Sequence, residues 1–253
     1  MATIDQRPAS PAVQVGPPRR PARQRRRHRL PSWVVKTAMA ISGALLAAFV
    51  GVHLFGNLKV FQSAESFNGY AAWLREAFYP LFPKGMVLWL VRIVIAAAGV
   101  VHVVAAVMVW TRGRRARGGH RVRVRGIQAW GARLMPVTGI VILVFVVFHL
   151  LDLTLGIVPA APADFVHPGD GAAHAYQNLV ASFQRPVVAW FYAAAMLLLS
   201  LHVAKGFGTM VVDLGVMGRR LRAALAAIGG LLALAVLLGN GAIPIAVQVG
   251  WLA

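Results

Sequence analysis

The sequence contains no cysteine. Disulfides, thiolate metal sites and iron–sulfur ligation by this chain are therefore excluded, and a transition metal would have to be held mainly by histidine, methionine or carboxylate. Acids are scarce as well: seven Asp and Glu stand against 26 Lys and Arg, a formal net charge of +19. Inside the long apolar runs the only acids are Asp152 and Asp213, both near run ends. That shortage argues against an ion or proton transporter, whose path normally needs buried carboxylates. Charged residues make up only 13% of the chain and hydrophobic residues 58%. This is too apolar for an ordinary soluble domain and fits a multi-span membrane protein.

Five apolar runs carry that excess. They predict helices from about Val34 to Leu58, Met86 to Trp110, Leu134 to Ile157, Val187 to Val212 and Leu221 to Leu238, with a short apolar tail after Pro244. Each is long enough for ~30 Å of hydrocarbon at 1.5 Å per residue. Pro136 is expected in the first turn of the third helix, where a missing N–H removes no bond. Gly43, Gly51, Gly99, Gly139 and Gly206 are small enough to admit either a neighbouring backbone or a flat macrocycle. The expected fold is all-α, an integral membrane bundle of five transmembrane helices.

Charge orients the bundle. Residues 1–30 hold eight arginines and one acid, Asp5, in a Pro-rich setting. Low apolar content and self-repulsion predict a disordered basic tail ahead of a membrane domain over residues 31–253. The tail is too long for a signal peptide, and the run after it has spanning length. Its arginines are not interleaved with aromatics, so lipid contact and topology explain them better than nucleic acid. The segment between the second and third helices carries Arg112, Arg114, Arg115, Arg117, Arg121, Arg123, Arg125 and Arg133, and Arg219, Arg220 and Arg222 precede the fifth. The other two connections are nearly balanced. The positive-inside rule then places the N-terminus in the cytoplasm and the C-terminus outside, in a cell membrane.

Four of the five helices contain one histidine each: His53, His102, His149 and His202. An imidazole in hydrocarbon is costly without a partner. A lone one is most simply a packed, hydrogen-bonded residue or part of a proton path. Depth separates these four into pairs. His53 lies 17 residues beyond Lys36 and His149 16 beyond Arg133, whereas His102 lies 10 before Arg112 and His202 11 before Asp213. At 1.5 Å per residue the first pair sits ~25 Å and the second ~15 Å from the basic edge. Two levels with two imidazoles apiece are what two stacked bis-histidine haems need. Non-haem iron or zinc would want three or four ligands at one level, usually with a carboxylate. His28, His120, His167 and His174 fall in the tail and loops and read as solvated, with His167 or His174 placed to move protons at the outer surface; the eight methionines read as packing residues.

The run His53-Leu-Phe-Gly-Asn-Leu with Phe61, followed by Phe67-Asn-Gly-Tyr-Ala-Ala-Trp-Leu-Arg75, resembles the cytochrome b membrane-anchor subunit of succinate dehydrogenase and fumarate reductase. The likeness is to the five-helix, di-haem, single-subunit type and covers roughly residues 33–250. It implies that His53 and His149 bind the distal haem b, and His102 and His202 the proximal one. It implies a cytoplasmic flavoprotein subunit with covalent FAD, an iron–sulfur subunit, and menaquinone as the membrane substrate. Such an anchor is not catalytic alone. It passes electrons from succinate to quinone, or the reverse when fumarate is reduced. Glu65 and Glu76 are candidates for quinone protonation, with an ordinary interfacial acid the competing role for each. Lys59, Arg92, Arg112, Arg133, Lys205 and Ser42 are candidate propionate partners, and the loop Arg112 to Arg125 could dock the soluble subunits. Two other readings stand beside this: an anchor for a hydrogenase or formate dehydrogenase, and a haem-free structural or transport protein.

Overall fold

Five helices long and apolar enough to cross a membrane dominate the computed structural model, which describes residues 30–117, 127–169 and 173–253. In chain order the elements are α1 (Ser32–Asn57), continued by a 3-10 turn (Leu58–Phe61), α2 (Ala64–Glu76) and α3 (Met86–Arg117). They continue with α4 (Ile127–His149), which passes into a π-helical turn (Leu150–Thr154), then α5 (Ala175–Phe183), α6 (Pro186–Asp213) and α7 (Arg219–Gln248). All lie in the compact unit Pro31–Ala253. Even the shortest span, Arg133–Thr154 with 22 residues, covers roughly 33 Å at the helical rise. Large apolar side chains such as Ile140, Val187 and Leu231 stay exposed along the spans, as hydrocarbon-facing residues must. The chain has the make-up of a multi-pass membrane protein.

α6 is the hub: it packs along α7 and also meets α4 and α1, while α3 packs along α1. Gly229 of α7 faces the Phe207 ring so closely that any Cβ there would overlap it, which lets these two helices approach. The core collects Leu54, Phe145, Phe183, Tyr192, Met196, Val236 and Ile243. The opposite end is basic. There Lys36 pairs with Asp213 at 3.5 Å and Arg112 donates to Ser32 at 3.4 Å, tying the start of α1 to the ends of α6 and α3.

Three sequence expectations need correction. α7 does not stop at Leu238 but runs through Pro244 to Gln248. Ile243, Pro244, Ala246 and Val247 are buried, so packing holds the turns around the missing N–H. α4 begins at Ile127, which puts Pro136 inside the helix rather than in its first turn. The third correction concerns the connections expected as loops: two of them carry the short helices α2 and α5. α2 starts at Ser63, whose hydroxyl accepts the Ser66 N–H at 3.0 Å, with Glu65 in the first turn.

These short helices explain the motif-like segment after His53. Gly56 lies under the Tyr70 ring, where a Cβ would overlap it. Asn57 donates to Asn240 of α7 at 3.2 Å. Asn68 accepts the Tyr176 N–H at 2.9 Å and donates to Gln177 at 3.0 Å. The two halves of the motif therefore clamp α2 onto α1 and α5. The basic tail, His28, His120, Asp170 and the arginines at 121, 123 and 125 lie outside the described residues.

Candidate functional site

α1 and α4 each carry a histidine toward the end away from the basic residues, and α3 and α6 each carry one deeper in the span. The structure brings His53 and His149 together with ring centroids 5.9 Å apart and planes at 76°. It brings His102 and His202 together at 6.4 Å and 68°. Neither α1 with α4 nor α3 with α6 is among the closely packed helix pairs. The paired imidazoles therefore come from helices that do not pack along one another.

Three of the four rings are held through Nδ1. His102 Nδ1 lies 3.1 Å from the Met39 carbonyl, which can only accept, so that nitrogen carries the proton. Ser42 Oγ is a further 3.4 Å neighbour and donates its own proton to Ala38 O at 2.7 Å. Thr138 Oγ1 donates to Leu134 O at 3.0 Å and accepts from His202 Nδ1 at 2.9 Å. On the other pair, Tyr192 donates to Asp152 at 2.9 Å and accepts from His149 Nδ1 at a longer 3.4 Å. His102 therefore carries its proton on Nδ1, and the same tautomer suits His202 and His149, whose hydroxyl partners have acceptors of their own. That is the arrangement in which an outer hydrogen bond fixes tautomer and ring direction for metal ligation. His53 is held by stacking on Phe49, with centroids 5.4 Å apart.

One device is used twice. Ser42-Gly43 precedes His53 on α1 by 11 and 10 residues, and Thr138-Gly139 precedes His149 on α4 by the same intervals. In each case the hydroxyl reaches the histidine of the following long helix, and the glycine makes room for it. A Cβ at Gly43 would sit 3.0 Å from His102 Cε1, and one at Gly139 would sit 3.6 Å from His202 Cε1. α1–α3 and α4–α6 are therefore parallel repeats of one unit, a plan found in membrane proteins with internal duplication. The repeated Ser/Thr-Gly-x9-His pattern is the signal in the sequence that marks this arrangement.

A second group went unread because it is assembled from distant residues. The π-helical turn carries Asp152, which is fully buried at 0% exposure. Its carboxylate accepts from Ser182 Oγ at 2.6 Å, Tyr192 Oη at 2.9 Å and Arg185 Nη2 at 2.9 Å. Arg185 also donates to the Ser182 carbonyl at 3.2 Å.

The other sequence candidates fall elsewhere. Glu65 and Glu76 are exposed on α2, and Glu76 pairs with Lys84 at 2.6 Å. Lys59 lies over the Phe55 and Tyr70 rings and Arg92 over Trp89. Ser42, offered as a propionate partner, is buried against His102 instead. His167 is exposed beside Phe165, and His174 sits half-buried at the start of α5. Among the described residues no three of His, Asp and Glu converge as a metal-ion site. What the site offers is two separate pairs of imidazoles.

Comparison with protein-family profiles, with characterised proteins and with solved structures finds no match to this chain.

Proposed function

We propose that the chain is the di-haem cytochrome b membrane anchor of a succinate:menaquinone oxidoreductase. The observation that carries this reading is the pairing of His53 with His149 and of His102 with His202. With a metal–imidazole bond of about 2 Å, and a ring centre about 1 Å beyond the bonded nitrogen, two rings on one iron have centres about 6 Å apart. The two pairs stand at 5.9 and 6.4 Å. The Nδ1 hydrogen bonds and the glycines beside the rings suit a flat macrocycle held by two imidazoles. His53 and His149 would hold one haem b, and His102 and His202 the other.

Bound haem supplies one-electron redox chemistry at two depths in the bilayer. The chain's own residues supply the rest. The neutral histidines would hold the haem, the Nδ1 partners lock their direction, and the apolar spans exclude water. The basic end faces the cytoplasm, as the positive-inside rule requires, and the soluble flavoprotein and iron–sulfur subunits would dock there. The His53–His149 pair then lies nearer the outer surface, with α2 and α5. Glu65 and Glu76 on α2 are the acids available to exchange protons with quinone on that side. In this reading the protein is a cofactor-bearing subunit of an oxidoreductase in the bacterial cytoplasmic membrane.

Purification from native membranes tests the reading. The expected result is a complex holding a flavoprotein and an iron–sulfur protein, with b-type absorption that succinate reduces. A haem-bearing chain that copurifies instead with a metallohydrogenase or formate dehydrogenase would retain the cofactors and replace the partner.

A further inference from the structure

The two imidazole pairs are built alike but are not electrostatically alike. His102 and His202 meet only neutral oxygens at Nδ1: the Met39 carbonyl, Ser42 and Thr138. His149 meets Tyr192, and behind Tyr192 stands a carboxylate with 0% exposure. The countercharge for that carboxylate, Arg185, is not equally buried, since its side chain is 31% exposed. Solvent screens the guanidinium more than the acid, so the pair presents net negative potential toward His149. Tyr192 itself cannot move away. Its ring is 5% exposed and is packed against Phe183, with centroids 4.7 Å apart, and against Phe145 at 5.1 Å.

We propose that Asp152, acting through the Tyr192 hydroxyl, is a positioning residue that lowers the reduction potential of the haem held by His53 and His149 relative to that of the other haem. The inference rests on the haem reading above. Its direction follows from the hydrogen-bond chain. Asp152 polarises the Tyr192 O–H, the Tyr192 oxygen draws on the His149 Nδ1–H, and the imidazole becomes a more anionic ligand. Such a ligand favours the oxidised, more positive iron. Ser182 and Arg185 keep the carboxylate in place and aimed at Tyr192. The π-helical turn is what swings Asp152 into this position, and such turns are common at functional sites.

The test is a potentiometric titration of the whole purified complex, followed by optical and electron paramagnetic resonance spectra of each haem. Tyr192→Phe keeps the ring packing and removes the relay, and should raise the potential of the His53–His149 haem alone. Asp152→Asn should raise it too. Asp152→Glu keeps the charge and should shift it less than Asp152→Asn. A shift confined to one haem, and larger for Asp152→Asn than for Asp152→Glu, is not expected of residues that merely hold the fold. If both haems shift equally, if Asp152→Glu shifts the potential as much as Asp152→Asn, or if Tyr192→Phe leaves it unmoved, the inference is overturned. Should Asp152→Asn fail to assemble, the Tyr192→Phe result decides alone. A wild-type chain without haem would remove the underlying reading as well, whereas two haems with unmoved potentials would remove only this inference.

Discussion

Thr138 Oγ1 lies 2.9 Å from His202 Nδ1, and the same hydroxyl donates to Leu134 O at 3.0 Å. One side chain thus anchors to its own helix backbone and fixes a ring on another helix. Thr138→Val keeps the shape and removes both bonds. We expect about tenfold weaker haem retention at the His102–His202 site, the low end for loss of an outer ligand partner. The rate of haem transfer to an acceptor apoprotein checks it. Ser42→Ala should cost less, because His102 keeps the Met39 carbonyl.

Gly43 and Gly139 occupy equivalent places in the two repeats but have different clearances. A Cβ would lie 3.0 Å from His102 at Gly43 and 3.6 Å from His202 at Gly139. Gly43→Ala should therefore displace the His102 ring and alter the spectrum of that haem, while Gly139→Ala stays within ordinary contact. Absorption and electron paramagnetic resonance spectra of the two variants check this. Equal effects would contradict the clearances.

Gly56→Ala should strip α2 from α1, since the added methyl overlaps the Tyr70 ring. Overpacking of this kind costs about 1–3 kcal/mol. Thermal unfolding in detergent should show the loss, and Tyr70→Leu in the same chain should restore part of it. A variant as stable as the parent would mean that the motif has no clamping role.

The five spans and the depth pairing of the histidines were legible because both depend only on local sequence and the 1.5 Å rise. Hydrocarbon demands long apolar helices, so unbroken runs report them directly. The ends of α4 and α7 were misread because Pro136 and Pro244 usually punctuate helices, and here packing overrides that tendency. α2 was hidden by its polar composition, although Ser63 and Glu65 mark its start. Asp152 was dismissed as a residue near a helix end. Its burial depends on a π-helical turn and on Ser182, Arg185 and Tyr192, residues 30 to 40 positions away. No local pattern encodes that assembly.

Under the proposed function the four imidazoles hold two irons, one per pair. The direct measurement is haem content per chain by pyridine haemochrome assay, on the parent and on the four single histidine-to-alanine variants. The account predicts two haem b in the parent. It predicts loss of the same haem in His53→Ala and His149→Ala, and of the other in His102→Ala and His202→Ala. A folded parent with no haem, or variants whose losses group the histidines differently, would contradict it.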